Sequence, residues 1–421
     1  MSHVSPEPAR EVLTPVTRAG RSLMSRKANA GPLLADHDAA SLEALLVRAG
    51  GTPSAARSAA GRVVRHVFRN GASKLQSTEA GSTEEGSPEG VGAEGVSAEA
   101  PWDRAALAAL GIGAWAHEAL LSLQVGVSLS VAEVVPAGDA TLRLALRARD
   151  GALLESVLIP GPGRTTLCVS SQVGCARACA FCETGRLGLT RQLSAGEMVD
   201  QVRIAQALWR AAPGGGGGGK PALSNLVFMG MGEPFDNLGE VGRAIRLLTD
   251  GRALGFAQSR VTVSTVGVAD KIEAFFQGVP AELAVSLNAP DDARRQAIMP
   301  INTRFPLAVL REALLRALPP GRRVLFEYVL FDGFNDAPED ADLLAALVSG
   351  IRCRVNVIPC NPGPDPRLRP PSQERLDAFV ARLSGLGVTT LVRRPRGRDV
   401  GGACGQLAGL LRQQAEQAAV A

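Results

Sequence analysis

Histidine, lysine and long apolar runs are all scarce in this chain, and each scarcity closes off a class of function. Its 421 residues hold four histidines, His3, His37, His66 and His117. The C-terminal two-thirds therefore has no imidazole to bind a metal or move a proton. Acid–base or metal chemistry there falls to carboxylates and thiols. Lysine occurs only at Lys27, Lys74, Lys220 and Lys271, so arginine supplies nearly all of the positive charge. The net charge of +4 is too small to argue by itself for a nucleic-acid partner, although arginine is the cation that pairs best with phosphate. No charge-free run of about 18 apolar residues occurs, and the N-terminal MSHVSPEPAREVLTPVTRAG lacks the apolar stretch of a secretory signal. The expectation is a cytoplasmic protein with no membrane span. With 46% hydrophobic residues the chain can still bury a sizeable core, enough for one large domain and a smaller one.

Low complexity marks the first boundaries. Residues 1–33 read as poorly ordered. Residues 34–70 form a helical accessory segment, with Leu42, Leu45, Leu46, Val63, Val64 and Val67 at helical spacing. Residues 71–101 are rich in Gly, Ser, Glu and Ala and nearly free of large apolar side chains, so they read as a linker. Residues 102–160 read as an accessory helix and a small antiparallel sheet, with turn signals at Ala137-Gly138-Asp139 and Asp150-Gly151. From residue 161 to 421, strands alternate with helices. The strands are expected at Thr166–Ser170, Asn225–Met229, Arg260–Thr265, Glu282–Leu287, Val324–Leu330, Arg354–Pro359 and Thr389–Arg394. That alternation predicts an α/β fold with a parallel sheet flanked by helices, an incomplete (β/α) barrel whose chemistry sits beyond the C-terminal strand ends.

One glycine run is a decoy. Gly214 to Lys220 reads GGGGGGK, but Pro221 stands where a phosphate loop needs Ser or Thr for magnesium. A flexible insertion is the better reading.

Seven cysteines are present, and four of them, Cys168, Cys175, Cys179 and Cys182, lie close together. An odd count in a large chain of this kind argues for metal or redox chemistry over a disulfide framework. Cys175, Cys179 and Cys182 have the CxxxCxxC spacing. Three thiolates on one short loop can bind three corners of a [4Fe-4S] cubane and leave the fourth iron open, whereas a closed ferredoxin-type site needs a fourth cysteine. The competing reading is structural zinc, which usually requires a second cysteine knuckle or histidines, and neither accompanies this loop. Cys353 and Cys360 sit in or at the end of an expected strand and read as small core residues.

The segment from Cys168 to Gly185, CVSSQVGCARACAFCETG, resembles the signature of the RlmN/Cfr family of radical S-adenosylmethionine (SAM) RNA adenine methyltransferases. Further matching segments follow in order: Met229–Pro234, Arg260–Thr265, Ser286–Pro290, Pro300–Asn302, Glu327-Tyr328, Asn356–Pro359, Asn361-Pro362 and Gly401–Leu407. The resemblance covers residues 153 to 409, roughly three-fifths of the chain. It implies a [4Fe-4S] cluster and SAM as cofactors, an RNA substrate and a cellular one-electron reductant, with a monomer as the expected state. It implies Cys404 as methyl carrier, Cys168 as the thiol that releases the product and Glu155 as proton acceptor. The cycle would end with Cys404 and Cys168 joined as a disulfide that must be reduced. Gly232, Glu233, Pro234, Ser264, Ser286, Leu287, Asn288 and Asn361 match SAM-contacting positions. Asn288 stands where the family usually has His; Asn keeps a hydrogen bond but cannot switch a proton. Glu183 also departs from the family's usual small residue.

The implied product is an adenine methylated at carbon 2 in 23S rRNA, with tRNA as a further target. Val173-Gly174 and the run from Ala403 to Gly409 lean toward that branch over the carbon-8 branch. A non-catalytic RNA-binding paralogue with a structural cluster is the alternative from another class, and retention of both Cys168 and Cys404 argues against it. Arg393, Arg394, Arg396 and Arg398, just before Cys404, form a basic strip that either holds RNA phosphates or is an ordinary solvated face.

Overall fold

Some strands beyond residue 160, Val324–Leu330 above all, are nearly continuous apolar runs, as expected of parallel strands covered on both faces. In the computed structural model, which describes residues 36–67, 104–121, 128–212, 222–363 and 365–407, the parallel strands form one side of a ten-stranded sheet, out to its edge. The strands are β1 (Leu129–Pro136), β2 (Leu142–Ala148), β3 (Leu153–Gly161), β4 (Arg164–Cys168), β5 (Gln172–Cys175), β6 (Gly188–Gln192), β7 (Leu223–Phe228), β8 (Val261–Thr265), β9 (Glu282–Ser286), β10 (Val324–Leu330), β11 (Cys353–Pro359) and β12 (Thr390–Val392). The sheet order is β1-β2-β3-β4-β7-β8-β9-β10-β11-β12, with β5 and β6 paired apart as a hairpin. From β4 to β12 every neighbouring pair is parallel, and all seven expected strands are present. β1 to β4 are antiparallel, so the accessory strands extend the same sheet instead of forming a separate one. The boundary drawn at residue 160 falls inside the β3–β4 hairpin, where Gly161 pairs with Arg164. No pairing joins β12 to β1, which leaves the barrel open.

Local chemistry sets the outer helices. Ser194 and Glu197 form a capping box that starts the helix Ala195–Ala211, with Ser194 Oγ accepting from Glu197 N at 3.2 Å and Glu197 Oε2 accepting from Ser194 N at 2.9 Å. Met198, Val199 and Val202 of this helix are fully buried, and each such side chain contributes about 1.5–3 kcal/mol. Gln201, also on it, is buried but satisfied. Its Oε1 accepts from Ser156 Oγ and Ser170 N, and its Nε2 donates to Ser170 O, tying the helix to β3 and to the end of β4. The helices Ala39–Arg48 and Pro53–Arg65 pack on the outside. Arg246 donates to Asp38 at 2.7 Å and Gly196 N donates to Asp36 at 2.9 Å, which pins this segment to the barrel helices. The linker (71–101), the residues before 36 and the glycine run 214–220 lie outside the described residues. Among the described residues no helix is long and apolar enough to cross a membrane.

Candidate active site

Cys175 ends β5, and Cys179 and Cys182 follow in the loop that leads to the short helix Glu183–Arg186 and β6. Gly174 makes the hairpin possible. It sits at φ +77°, and an added Cβ would lie 1.9 Å from the Gly188 carbonyl oxygen. All three thiols line the larger cavity at the C-terminal ends of the parallel strands, together with Gly232, Glu233, Pro234, Ser264, Ser286 and Asn288. Among the described residues no three His, Cys, Asp or Glu side chains converge on one point as the ligands of a single ion do. Three thiols lining one cavity can each bind a different iron of a cluster. Burial pushes the Cys175 thiol up to about 12 and raises Cys179 and Cys182 as well. Coordination is what makes such thiols ionise.

Most of the expected SAM-contacting residues gather here. Glu233 follows β7, and burial raises its carboxyl to about 7 despite hydrogen bonds from the backbone. Its Oε2 accepts from Val266 N at 2.8 Å and its Oε1 from Phe235 N at 3.0 Å. Asn288 adopts φ +58°, a left-handed conformation that Asn tolerates better than most residues. Its side chain is spent within the protein: Oδ1 accepts from Val329 N at 3.0 Å, and Nδ2 lies 3.4 Å from Met299 Sδ. Leu287 lines neither cavity; its backbone N donates to Glu327 O. Asn361 lines a second cavity instead, where Oδ1 accepts from Arg398 Nε at 2.8 Å and Nδ2 donates to the Cys404 carbonyl at 3.2 Å.

The second cavity adjoins the first and brings Cys168 to Cys404. Cys404 and Arg393 line both. Cys168, at the end of β4, is buried, and burial lifts its thiol to about 12, while Cys404 is exposed. Both are free thiols, so the expected disulfide is not formed in this structure. The Cys404 loop leans on the cluster loop. Glu183 N donates to Gly405 O at 2.8 Å, and Thr184 Oγ1 donates to Leu407 O at 2.8 Å. Gly405, at φ +83°, passes so near that a Cβ would lie 2.9 Å from the Phe181 carbonyl oxygen.

Two charged residues here have no individual role in the sequence reading, where Arg393 belongs to the basic strip and Glu327 to a matching segment. Arg393 is half-buried between Cys404, Cys168 and Glu327, and its nearness to Cys404, more than to Glu327 or Cys168, raises its guanidinium above the ordinary range against the cost of burial. Glu327, on β10, lines the larger cavity and is 4% exposed. Its Oε1 accepts from Asn356 Nδ2, while Oε2 has no hydrogen-bond partner among the described residues. Burial raises its carboxyl above the ordinary range; Arg393 and Asn356 act the other way. Arg295 is a third such residue, fully buried beneath the cavity. It donates to the carbonyls of Val266, Ser286 and Leu287 and so holds the ends of β8 and β9.

Other expected groups lie elsewhere. Glu155 lines neither cavity; it is fully buried in β3 and paired with Arg143. Of the basic strip, Arg396 is engaged by Asp139 and Arg398 by Asn361, Arg393 is half-buried and lines both cavities, and Arg394 lines the second. Cys353 and Cys360 pack with the hydrophobic core, away from both cavities.

The chain matches the radical SAM superfamily over residues 169–345. It is 70% identical over 401 residues to a probable RNA methyltransferase of Sorangium cellulosum, covering 94% of each chain. It is 44% identical over 308 residues to the dual-specificity RNA methyltransferase RlmN of Syntrophobacter fumaroxidans, covering 70% of this chain and 87% of that one. Among solved structures, a radical SAM methyltransferase from Sphaerobacter thermophilus matches with a TM-score of 0.71 and 36% identity, over 90% of this chain and 99% of that one.

Proposed function

This chain belongs to the radical SAM RNA methyltransferases of the RlmN type, and from that premise we propose that it methylates carbon 2 of an adenine in 23S rRNA, with tRNA as a further substrate, through a methyl group carried on Cys404. One observation carries the reading. Cys404 lines both the cavity that holds the three cluster cysteines and the cavity that holds Cys168. A methyl carrier needs that position, between the source of the methyl and the thiol that ends the cycle.

Carbon 2 of adenine is electron-poor and cannot displace a methyl group from SAM as a nucleophile. When bound, the cluster would supply one electron to SAM, whose cleavage provides a radical able to take hydrogen from a methyl on Cys404. The chain's own residues do the rest. Cys175, Cys179 and Cys182 would hold the cluster through three thiolates, leaving a site on it for SAM. Glu233 accepts from the SAM amino group, and Ser264 and Ser286 offer hydroxyls on the same wall. The Cys404 thiolate first takes the methyl from SAM as a thioether, with S-adenosylhomocysteine leaving. After the methyl-derived carbon has joined the adenine, the adduct gives up one electron, which would return to the cluster, and carbon 2 loses its proton to a base. The Cys168 thiolate then bonds to the Cys404 sulfur, the sulfur–carbon bond breaks with its electron pair on carbon, that carbon takes up a proton and the methylated base leaves. A one-electron reductant supplies the cluster, and the Cys168–Cys404 disulfide is reduced before the next turnover.

The test is mass spectrometry of rRNA and tRNA nucleosides from a deletion strain and its parent. Loss of 2-methyladenosine from 23S rRNA is the expected result. Unchanged 2-methyladenosine with loss of 8-methyladenosine would move the assignment to carbon 8. No change in either would overturn it.

A further inference from the structure

Glu155 stands where the family resemblance expects a proton acceptor, yet its surroundings commit it elsewhere. Its side chain is wholly buried, and its oxygens accept from Arg143 Nε at 3.1 Å and Arg143 Nη2 at 2.7 Å, across the β2–β3 pair. A general base must come within hydrogen-bond reach of the proton it removes, and Glu155 lines neither cavity. Arg143 has one terminal nitrogen left. That nitrogen, Nη1, donates to the Val400 carbonyl at 2.6 Å, four residues before Cys404. The chain lies directly over the guanidinium: Gly401 is at φ +63°, and a Cβ there would be 2.9 Å from Arg143 Nη1.

The β1–β2 turn grips the same segment. Gly138 N donates to Asp399 Oδ2 at 2.8 Å, while Arg396 Nε and Gly397 N donate to Asp139 Oδ2 at 2.6 and 3.1 Å. Against the cost of burial, these donors and Thr141 hold the Asp139 carboxyl down at about 2. All of these bonds end on residues 396–400, so the base of the loop is fixed while the thiol at its tip stays exposed.

We infer that Glu155 is a positioning residue for Cys404: by holding Arg143 against the Val400 carbonyl it fixes the loop that presents the thiol, and it takes no proton from the substrate. The inference rests on Cys404 being the methyl carrier.

The test uses the reconstituted full-length enzyme as Glu155→Gln, Arg143→Met and the double variant Arg143→Met/Glu155→Met. The double variant removes both charges, because a lone buried charge can itself prevent folding. Hydrogen exchange of the Gly401 and Gly402 amides, kcat and KM for methylation and the pH profile are measured on each. Expected are faster exchange at residues 401–402 in every variant that folds and a fall in kcat of about 100-fold, the usual consequence of a small misplacement of a reacting group. The KM for SAM and the shape of the pH profile should not change, and the double variant should be no worse than Arg143→Met alone. Parental exchange in Glu155→Gln, with lost methylation and a lost limb of the pH profile, would overturn the inference and make Glu155 the proton acceptor. Parental kcat in the double variant would overturn it as well. If Cys404→Ala still methylates RNA, the carrier reading fails on its own, and the exchange data still report whether Glu155 anchors the loop.

Discussion

The two cysteine-bearing loops at the mouth of the barrel are held in opposite ways. The cluster loop, residues 175–182, grows from a hairpin of its own and buries Cys175 and Cys179. It is fastened largely by backbone bonds, such as Ala180 N to Ile298 O and Cys182 N to Cys179 O. The Cys404 loop belongs to no strand or helix. It is fastened at its base by the Arg143 side chain and by the β1–β2 turn, and beside the thiol by Glu183 N on the Gly405 carbonyl, and its thiol is exposed. A cluster needs three sulfurs held still and shielded, whereas a methyl carrier must meet two small molecules and a nucleic acid in turn. The mode of fastening follows from that difference in task.

The sharpest way to break the comparison is to remove ligands from the first loop. Changing Cys175, Cys179 or Cys182 to Ala should abolish the content of about four iron and four sulfide per chain, read by metal and acid-labile sulfide analysis. Stoichiometric zinc without sulfide in the parent would contradict the cluster assignment. The two close-approach glycines separate the loops next. Gly174→Ala should cost the cluster, since its Cβ would run into the Gly188 carbonyl at 1.9 Å. Gly405→Ala strains the Cys404 loop at φ +83° by about 1–3 kcal/mol and presses on the Phe181 carbonyl at 2.9 Å; it should lose methylated RNA while losing less iron than Gly174→Ala. Equal iron loss in both variants would show that the loops are not independent.

A smaller effect is expected on the wall the loops share. Glu327→Gln keeps the shape of the side chain and replaces a carboxylate in which one oxygen has no partner among the described residues. Methylation should fall by about 100-fold with iron content unchanged; parental kcat would remove Glu327 from the chemistry. The smallest effect concerns Glu233. Its carboxyl titrates near 7 in the fold against 4.5 when free, so the protonated form favours the folded state. That contribution is complete below pH 4.5 and is lost as pH rises through 7. Without SAM, the melting temperature of the parent should therefore fall relative to Glu233→Gln between pH 5 and pH 8. Parallel curves would mean that Glu233 is not buried as described.

The parallel strands were readable because burial on both faces leaves runs such as Val324–Leu330 almost wholly apolar. The β5–β6 hairpin was not. GLTRQ in β6 is largely exposed, so it carries no apolar alternation, and its pairing depends on Gly174 and the loop between. Nor was the continuity of the sheet readable, because Pro160, Gly161 and Gly163 give a local turn signal that looks the same within a hairpin as between domains. In the site, the cysteine spacing carries its own chemistry. Arg393 and Glu327 carry none locally; one is an arginine among many and the other a single acid in an apolar strand, and only the fold brings them to Cys404 and Cys168. Glu155 shows the converse, a position whose partner, twelve residues away, decides its role.

The central claim is that Cys404 carries the methyl and Cys168 releases it. The most direct measurement is to incubate reconstituted Cys168→Ala with SAM, reductant and labelled RNA, denature it, and analyse the tryptic peptide containing residue 404 by mass spectrometry. A covalent protein–RNA adduct on Cys404, absent from Cys168→Ala/Cys404→Ala, is the predicted result. Normal methylated RNA from Cys404→Ala alone would contradict the account.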